Sequence, residues 1–336
     1  MKNLLITFSA FLTLLLWSLD PAHPLLGADS PARDNWTYDW SKTKNFIEAW
    51  SKRPTFPDSI SFAYYFVYSK RALGLEISKD ERNKLLNFIK DCQTKDGGFV
   101  SEPKFDKDSN IISSFYAIKA LDMLKEPHLV NEKRLAGFLH SMFTKEGGMR
   151  LSSNTKEASL AGTALGVVLL NRLSDLTDRE KRLATAYILK YKTRDDGFGL
   201  VGNKVSSIRA TAMAVAALKS MNAIGDIKKD VICFLSQSRY SGLIKEKRFK
   251  TLPSMEEMAQ FLATVRLVGS SDKKIADPQK ISEFVRSLYI PENGGFGPEP
   301  GLGTTPPSTY YGLFCLVELG RLKPADMTGM SGFFSF

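Results

Sequence analysis

Two adjacent carboxylates, Glu256 and Glu257, stand at the start of an apolar helical run and are the first candidates for acid or base chemistry. Neighbours on a helix point about 100° apart, so one of the two can face an interior while the other looks elsewhere. Hydrolysis of a glycosidic bond needs two carboxylates converging on one cavity. Asp108 and Glu157 open other apolar runs, where a carboxylate also caps the helix or meets the positive end of its dipole; that structural role is the stronger reading for those two. Arg209 begins a further apolar helix and brings a cation able to grip a phosphate, or simply to sit at a charged rim. The apolar runs are rich in aromatics, among them Tyr64, Tyr116 and Tyr310, which either wall a ligand pocket or fill a core.

Other chemistries find no support. Beyond the N-terminal segment the only histidines are His128 and His140, and no Cys/His spacing suits a metal. No Gly-x-Ser-x-Gly elbow, phosphate loop or dinucleotide fingerprint occurs, nor a thioester-type Cys-Gly-Glu-Gln. We therefore expect neither a metal nor another cofactor. Cys92, Cys233 and Cys315 are too few for a disulfide framework, and their apolar helical contexts point to buried free thiols. One disulfide is the alternative in an oxidising compartment.

The elements that must position these groups are repeats. Phe88-Ile89-Lys90-Asp91-Cys92-Gln93-Thr94-Lys95-Asp96-Gly97-Gly98-Phe99 returns as Phe138 to Met149 and again as Tyr187 to Phe198, with weaker copies ending at Gly242-Leu243 and Gly295-Phe296. Each unit reads as an amphipathic helix, an acidic-Gly-Gly-aromatic turn that stops it, a loop, and a far more apolar second helix. Ala161, Gly162, Ala164 and Gly166 in one second helix, and Ala210 to Ala217 in another, suit helices packed on all sides. The charged-faced first helices belong outside. Residues 41–73 make one more unit whose turn, Pro54-Thr55-Phe56-Pro57, lacks the glycines. The expected fold is all-α: six hairpins, six outer and six inner helices. Neither terminal unit is polar enough to cap an open solenoid, so the ring should close.

Cys92-Gln93, Asp96-Gly97-Gly98-Phe99 and the inner-helix run Tyr116 to Leu121 resemble the prenyltransferase and squalene-cyclase repeat, most like the β subunits of protein geranylgeranyltransferases. The resemblance covers nearly all of the chain after the N-terminal segment and implies an α/α toroid around an apolar funnel. In those transferases an Asp and a Cys in the fifth repeat and a His in the sixth hold a catalytic zinc. The matching positions here are Ser254, Glu256 and Ser308, so all three ligands are missing. The family's fourth-repeat His corresponds to Ser207. Its diphosphate-binding Arg matches Arg248, and Lys250 stands beside its Lys position, which is Thr251. The Asp-x-Asp-Asp of protonating cyclases is absent; Asp195-Asp196 belongs to a repeat turn.

The N-terminus reads differently. Lys2, the apolar run Leu4 to Trp17, and Gly27-Ala28 make a secretory signal, with an uncleaved anchor as the alternative. The expected organisation is a signal at 1–28, a linker at 29–40, the toroid at 41–322 and an apolar tail at 323–336. The formal net charge of +10 favours anionic partners such as phosphates, acidic glycans or a membrane surface, but the cations are scattered among acids and do not suggest nucleic acid. The leading expectation is an exported toroid without zinc chemistry that binds an isoprenoid, another lipid or a protein partner. Glu256 and Glu257 are the catalytic candidates. Arg209, Arg248, Lys250, Tyr64, Tyr116 and Tyr310 are the ligand-binding ones. A metal-free transferase or cyclase, a carbohydrate-active enzyme and a scaffold stay open.

Overall fold

The computed structural model describes residues 38–200, 205–225, 227–238, 240, 253–270 and 275–324. The signal at 1–28, Gly242, Arg248, Lys250 and nearly all of the tail lie outside the described residues. Among the described residues there are twelve α-helices, alternating outer and inner. The outer ones are α1 (Trp40–Ser51), α3 (Lys79–Asp91), α5 (Glu132–Ser141), α7 (Asp178–Leu189), α9 (Ile227–Gln237) and α11 (Pro278–Ser287). The inner ones are α2 (Ile60–Ala72), α4 (Ile111–Leu124), α6 (Leu160–Arg172), α8 (Ile208–Ser220), α10 (Met255–Leu267) and α12 (Pro306–Glu318). Two short hairpins, β1 (Met149–Arg150) with β2 (Ala158–Ser159) and β3 (Tyr289–Ile290) with β4 (Gly295–Phe296), flank the turns of repeats three and six.

Sequence dictates which helix goes where. The outer helix α3 buries only Leu85 and Ile89, one stripe of an otherwise charged surface. The inner helix α4 buries every residue but Ile112. Each inner helix packs on the next, and α12 packs on α2, which closes the ring.

All six inner helices start in the same way. Ser59, Asn110, Ser159, Ser207, Ser254 and Thr305 are N-caps in extended conformation, each accepting a backbone N–H three residues on. Such a cap is worth about 1 kcal/mol. At the residue directly after the last turn glycine the chain is tied down again. Phe99 N–H donates to Ser114 Oγ (3.1 Å), Met149 to Thr163 (2.8 Å), Phe198 to Thr211 (3.0 Å) and Phe296 to Thr309 (3.1 Å). A hydroxyl at the fourth position of the inner helix thus fixes where each turn sits. The small inner-helix residues admit the turn's own large side chain: a Cβ on Gly166 would meet Met149 Sδ, and one on Gly312 would meet the Phe296 ring.

Turn tips join neighbouring repeats. Gly97, Gly147 and Gly294 have φ of +96°, +86° and +81°, and a Cβ on them would strike Arg134, Leu183 and the Lys42–Thr43 backbone respectively. The last of these is the seam between repeat six and repeat one. In the fourth repeat Asp196 takes the left-handed position (φ +68°), a role that Asp tolerates.

Where the inner helices end, ion pairs circle the ring. Lys70 meets Glu48 and Glu81 (3.2 and 3.3 Å), Arg172 meets Asp122, and Arg266 meets Glu318 (2.9 Å). The cysteines are free; Cys92 and Cys315 are buried as expected, while Cys233 is only half-buried because it falls off the α9 contact stripe of Val231 and Leu235.

Between repeats three and four, His140 sits between two carboxylates, with Nδ1 2.7 Å from Glu180 and Nε2 2.9 Å from Asp175. Carboxylates only accept, so both ring nitrogens must carry protons. Burial opposes that charge, but the hydrogen bonds to Asp175 and Glu180 outweigh it and raise the His140 pKa. The stabilisation is therefore complete below the ordinary histidine value near 6.5 and is lost as pH rises through the raised folded value. We expect the urea midpoint to fall across that window, and the fall to be absent in His140→Ala. A pH dependence unchanged in the variant would assign it to other groups.

Candidate functional site

The inner helices begin at one end of the ring, and there two repeats contribute one polar cluster. Arg209 and Glu256 are each the second residue of their helix, on α8 and α10. Because adjacent inner helices run parallel and in step, the two side chains meet: Arg209 Nη2 donates to Glu256 Oε1 at 2.8 Å. One turn further along α10, Gln260 Nε2 donates to the same oxygen, also at 2.8 Å. Gln260 is fully buried, and its Oε1 has no hydrogen-bond partner among the described residues. The charge of Glu256 is felt by Tyr65 on α2 and Tyr116 on α4, helices that do not neighbour α10 in the ring, so Glu256 faces the axis. Glu257 turns the other way and accepts from the Tyr240 hydroxyl on the α9 side.

Across the axis stands an aromatic wall built by three consecutive inner helices. Tyr65 and Tyr116 share a hydroxyl contact of 3.0 Å, and Tyr64 and Tyr310 one of 3.4 Å. Tyr65 stacks on Tyr310 with centroids 5.0 Å apart, and Tyr68 meets Tyr310 edge-on at 4.7 Å. Each such pair adds about 0.5–1.5 kcal/mol beyond its area. Burial pushes the Tyr64, Tyr65, Tyr116 and Tyr310 phenols far above their ordinary range, so they act as neutral hydroxyls. On α8, Met213 and Ala216 follow Arg209 at one-turn and two-turn spacing and are buried.

The three positions expected to carry zinc in related transferases do not fit a metal. Ser254 spends its hydroxyl accepting Glu257 N–H at the α10 cap, Glu256 is ion-paired, and Ser308 Oγ lies 2.7 Å from Thr305 Oγ1. Two neutral hydroxyls and one paired carboxylate are a poor donor set for zinc. Ser207 likewise only caps α8, accepting Ala210 N–H. Among the described residues no group of three His, Cys, Asp or Glu is placed to hold a metal ion.

The structure thus brings Arg209 and Glu256 together and sets Tyr64, Tyr116 and Tyr310 in one wall, while Glu257 is turned away. Arg248 and Lys250 lie outside the described residues. Asp108 does not cap a helix as expected: Asn110 caps α4, and Asp108 instead accepts from Asn154 and ties two loops. Two residues escaped sequence reasoning. Gln260 is one turn from Glu256, and that spacing was its signal. Lys119 is buried in α4 beside Asp122, and burial lowers its ammonium to about 8. Its signal was a lone Lys in an apolar run.

A family model, the prenyltransferase alpha-alpha toroid domain, matches residues 48–247 and 254–335. The chain belongs to this family. The farnesyltransferase β subunit of Pisum sativum is 24% identical over 204 residues, 59% of this chain and 47% of the relative, so the chain spans about half the length of the curated relative it matches. Among solved structures, Candida albicans protein geranylgeranyltransferase-I complexed with GGPP superposes with a TM-score of 0.74 at 17% identity, covering 88% of this chain and 98% of that chain. The type II terpene cyclase MstE from Scytonema gives 0.56 at 12% identity over 84% and 99%. At these identities the structural likeness speaks for the shared toroid fold.

Proposed function

We propose that this chain is an exported toroid that binds an isoprenoid, or a lipid of similar shape, inside its ring and does so without the zinc chemistry of the protein prenyltransferases. The observation that carries the reading is the pairing of an aromatic wall, Tyr64, Tyr65, Tyr116 and Tyr310, with metal positions whose oxygens are already committed to caps and an ion pair. Ring faces and aliphatic side chains suit a branched polyene, and neutral phenols suit it better than charges would. A related structure holds GGPP, and another holds geranylgeranyl dihydroxybenzoate, which supports the ligand class. The tyrosine hydroxyl pairs must part as a chain enters, so binding carries a repacking cost.

Glycosidic cleavage is disfavoured, because Glu257 does not converge with Glu256.

The test is a thermal-shift panel of isoprenyl diphosphates, neutral polyisoprenoids and oligosaccharides, each with and without zinc. At about a hundredfold excess over Kd, an isoprenoid stabilises the native state by about 2.7 kcal/mol, several degrees in Tm, and zinc changes nothing. A shift that requires zinc would overturn the metal-free reading. A shift with sugars alone, or with none of the panel, would overturn the lipid reading.

A further inference from the structure

Because the inner helices run parallel and in step, residues at the same position along each of them form a layer across the ring. The sixth residues are Tyr65 of α2, Tyr116 of α4, Leu165 of α6, Met213 of α8, Gln260 of α10 and Tyr311 of α12. All six are buried. Tyr65 is hydrogen-bonded to Tyr116, with the hydroxyls 3.0 Å apart, and to Tyr311, so this position looks inward on three consecutive inner helices. Phenols and aliphatic side chains make up the layer, except for the amide of Gln260.

That amide is only half satisfied. Gln260 Nε2 donates to Glu256 Oε1 at 2.8 Å, and a carboxylate only accepts, so the nitrogen end is held toward Glu256. Oε1 is the other end, and among the described residues it has no hydrogen-bond partner, on a side chain 0% exposed. A buried acceptor without a donor is costly, and in a native protein it calls for a reason. Glu256 lies one turn back along α10, and its charge reaches Tyr65 and Tyr116, so this face of α10 looks across the axis at the tyrosines.

We propose that Gln260 selects the head group of the ligand in the ring and that this head group is a neutral hydroxyl, with Gln260 Oε1 accepting a hydrogen bond from the O–H of a prenyl alcohol or a prenylated phenol. This assignment rests on the reading that an isoprenoid occupies the ring, and it names the head that the isoprenoid carries. Only a donor answers Oε1. An ionised diphosphate offers acceptors alone, and a bare hydrocarbon offers nothing. An ammonium also donates, but the carboxylate at this end already has Arg209 as its cation. A hydroxyl accepts as well as donates, and the phenols of the same layer are neutral and carry protons to give. A site built around a hydroxyl rejects the analogue that lacks it more strongly than an apolar pocket discriminates by size, because its own polar group is then left unpaired.

The test measures equilibrium binding of tritiated geranylgeraniol, its methyl ether and geranylgeranyl diphosphate to the full chain and to Gln260→Met. A geranylgeranyl phenol and its methyl ether, run beside them, tell the alcohol from the phenol as the source of the hydroxyl. Methionine fills the same space and removes the amide oxygen. We expect the hydroxyl compound to bind the parent chain about tenfold tighter than its ether, and the two to bind Gln260→Met alike. The diphosphate should bind the parent more weakly than the alcohol. Equal affinity of hydroxyl compound and ether for the parent, in both pairs, would overturn the assignment and leave the lipid reading standing, with solvent answering the amide. A preference that survives in Gln260→Met, or a diphosphate that binds tighter than the alcohol, would overturn it too. If hydroxyl compounds and ethers alike fail to bind, the lipid reading falls and the assignment falls with it. Should Gln260→Met not fold, the comparison within the parent chain still decides.

Discussion

Gly294→Val is expected to cost about 3–5 kcal/mol, from a left-handed backbone that a branched residue resists and from overpacking against a neighbour that cannot yield. At φ +81° a Cβ would lie 2.4 Å from Lys42 C and Thr43 N, which are backbone atoms held in the first turn of α1. The matched control is Gly301→Val. Its φ is +82°, but nothing lies within 4 Å of its Cβ, so it should cost only the backbone strain, about 1–2 kcal/mol. Denaturant midpoints measure both. Hydrogen exchange should place the loss at the seam, in α1, α2 and α12, and leave α6 and α8 on the far side protected. Equal costs at the two glycines would mean that the contact between the sixth turn and the first outer helix does not hold the ring closed.

Asp122→Ala is expected to destabilise by about 3 kcal/mol, because it removes one partner of a buried pair and leaves the other's charge behind. Asp122 is 5% exposed in its side chain; Arg172 donates to both its oxygens from the next inner helix and otherwise meets the exposed Glu132. Lys119 is the second casualty. Burial is the larger effect and lowers its ammonium to about 8, while Asp122 pulls the other way; without Asp122 the ammonium is held lower still. A lysine with a depressed folded value opposes folding while charged, so stability rises as pH climbs through that value toward the unfolded one near 10.4. The defect of Asp122→Ala should accordingly be larger at pH 7 than at pH 9. A defect independent of pH would place the cost on Arg172 alone.

Both predictions concern contacts between repeats, and that is where sequence reasoning thinned. The unit itself was legible. Helix-stopping glycines at a regular spacing, one helix with a charged face and one without, and the failure of either end to look like a cap led to six hairpins and a closed ring. Even the divergence of Glu256 and Glu257 followed from helix geometry. Legibility stopped where residues of different units meet. Arg209 was read as a cation near the mouth, but not as the partner of a carboxylate 47 positions away. Tyr64 and Tyr310 were read as inner aromatics, and nothing local says that residues 246 apart share a hydroxyl contact.

The physical reason is the range over which each signal acts. Helix periodicity, caps and left-handed turns depend on a few neighbouring residues, so the sequence by itself determined the repeat, its two helices and the layer each belongs to. Which side chains face the axis, which charges meet, and where the last turn locks on the first helix depend on how each hairpin is rotated against the next. That rotation is set by packing summed around the whole ring, and only the tertiary structure decided it.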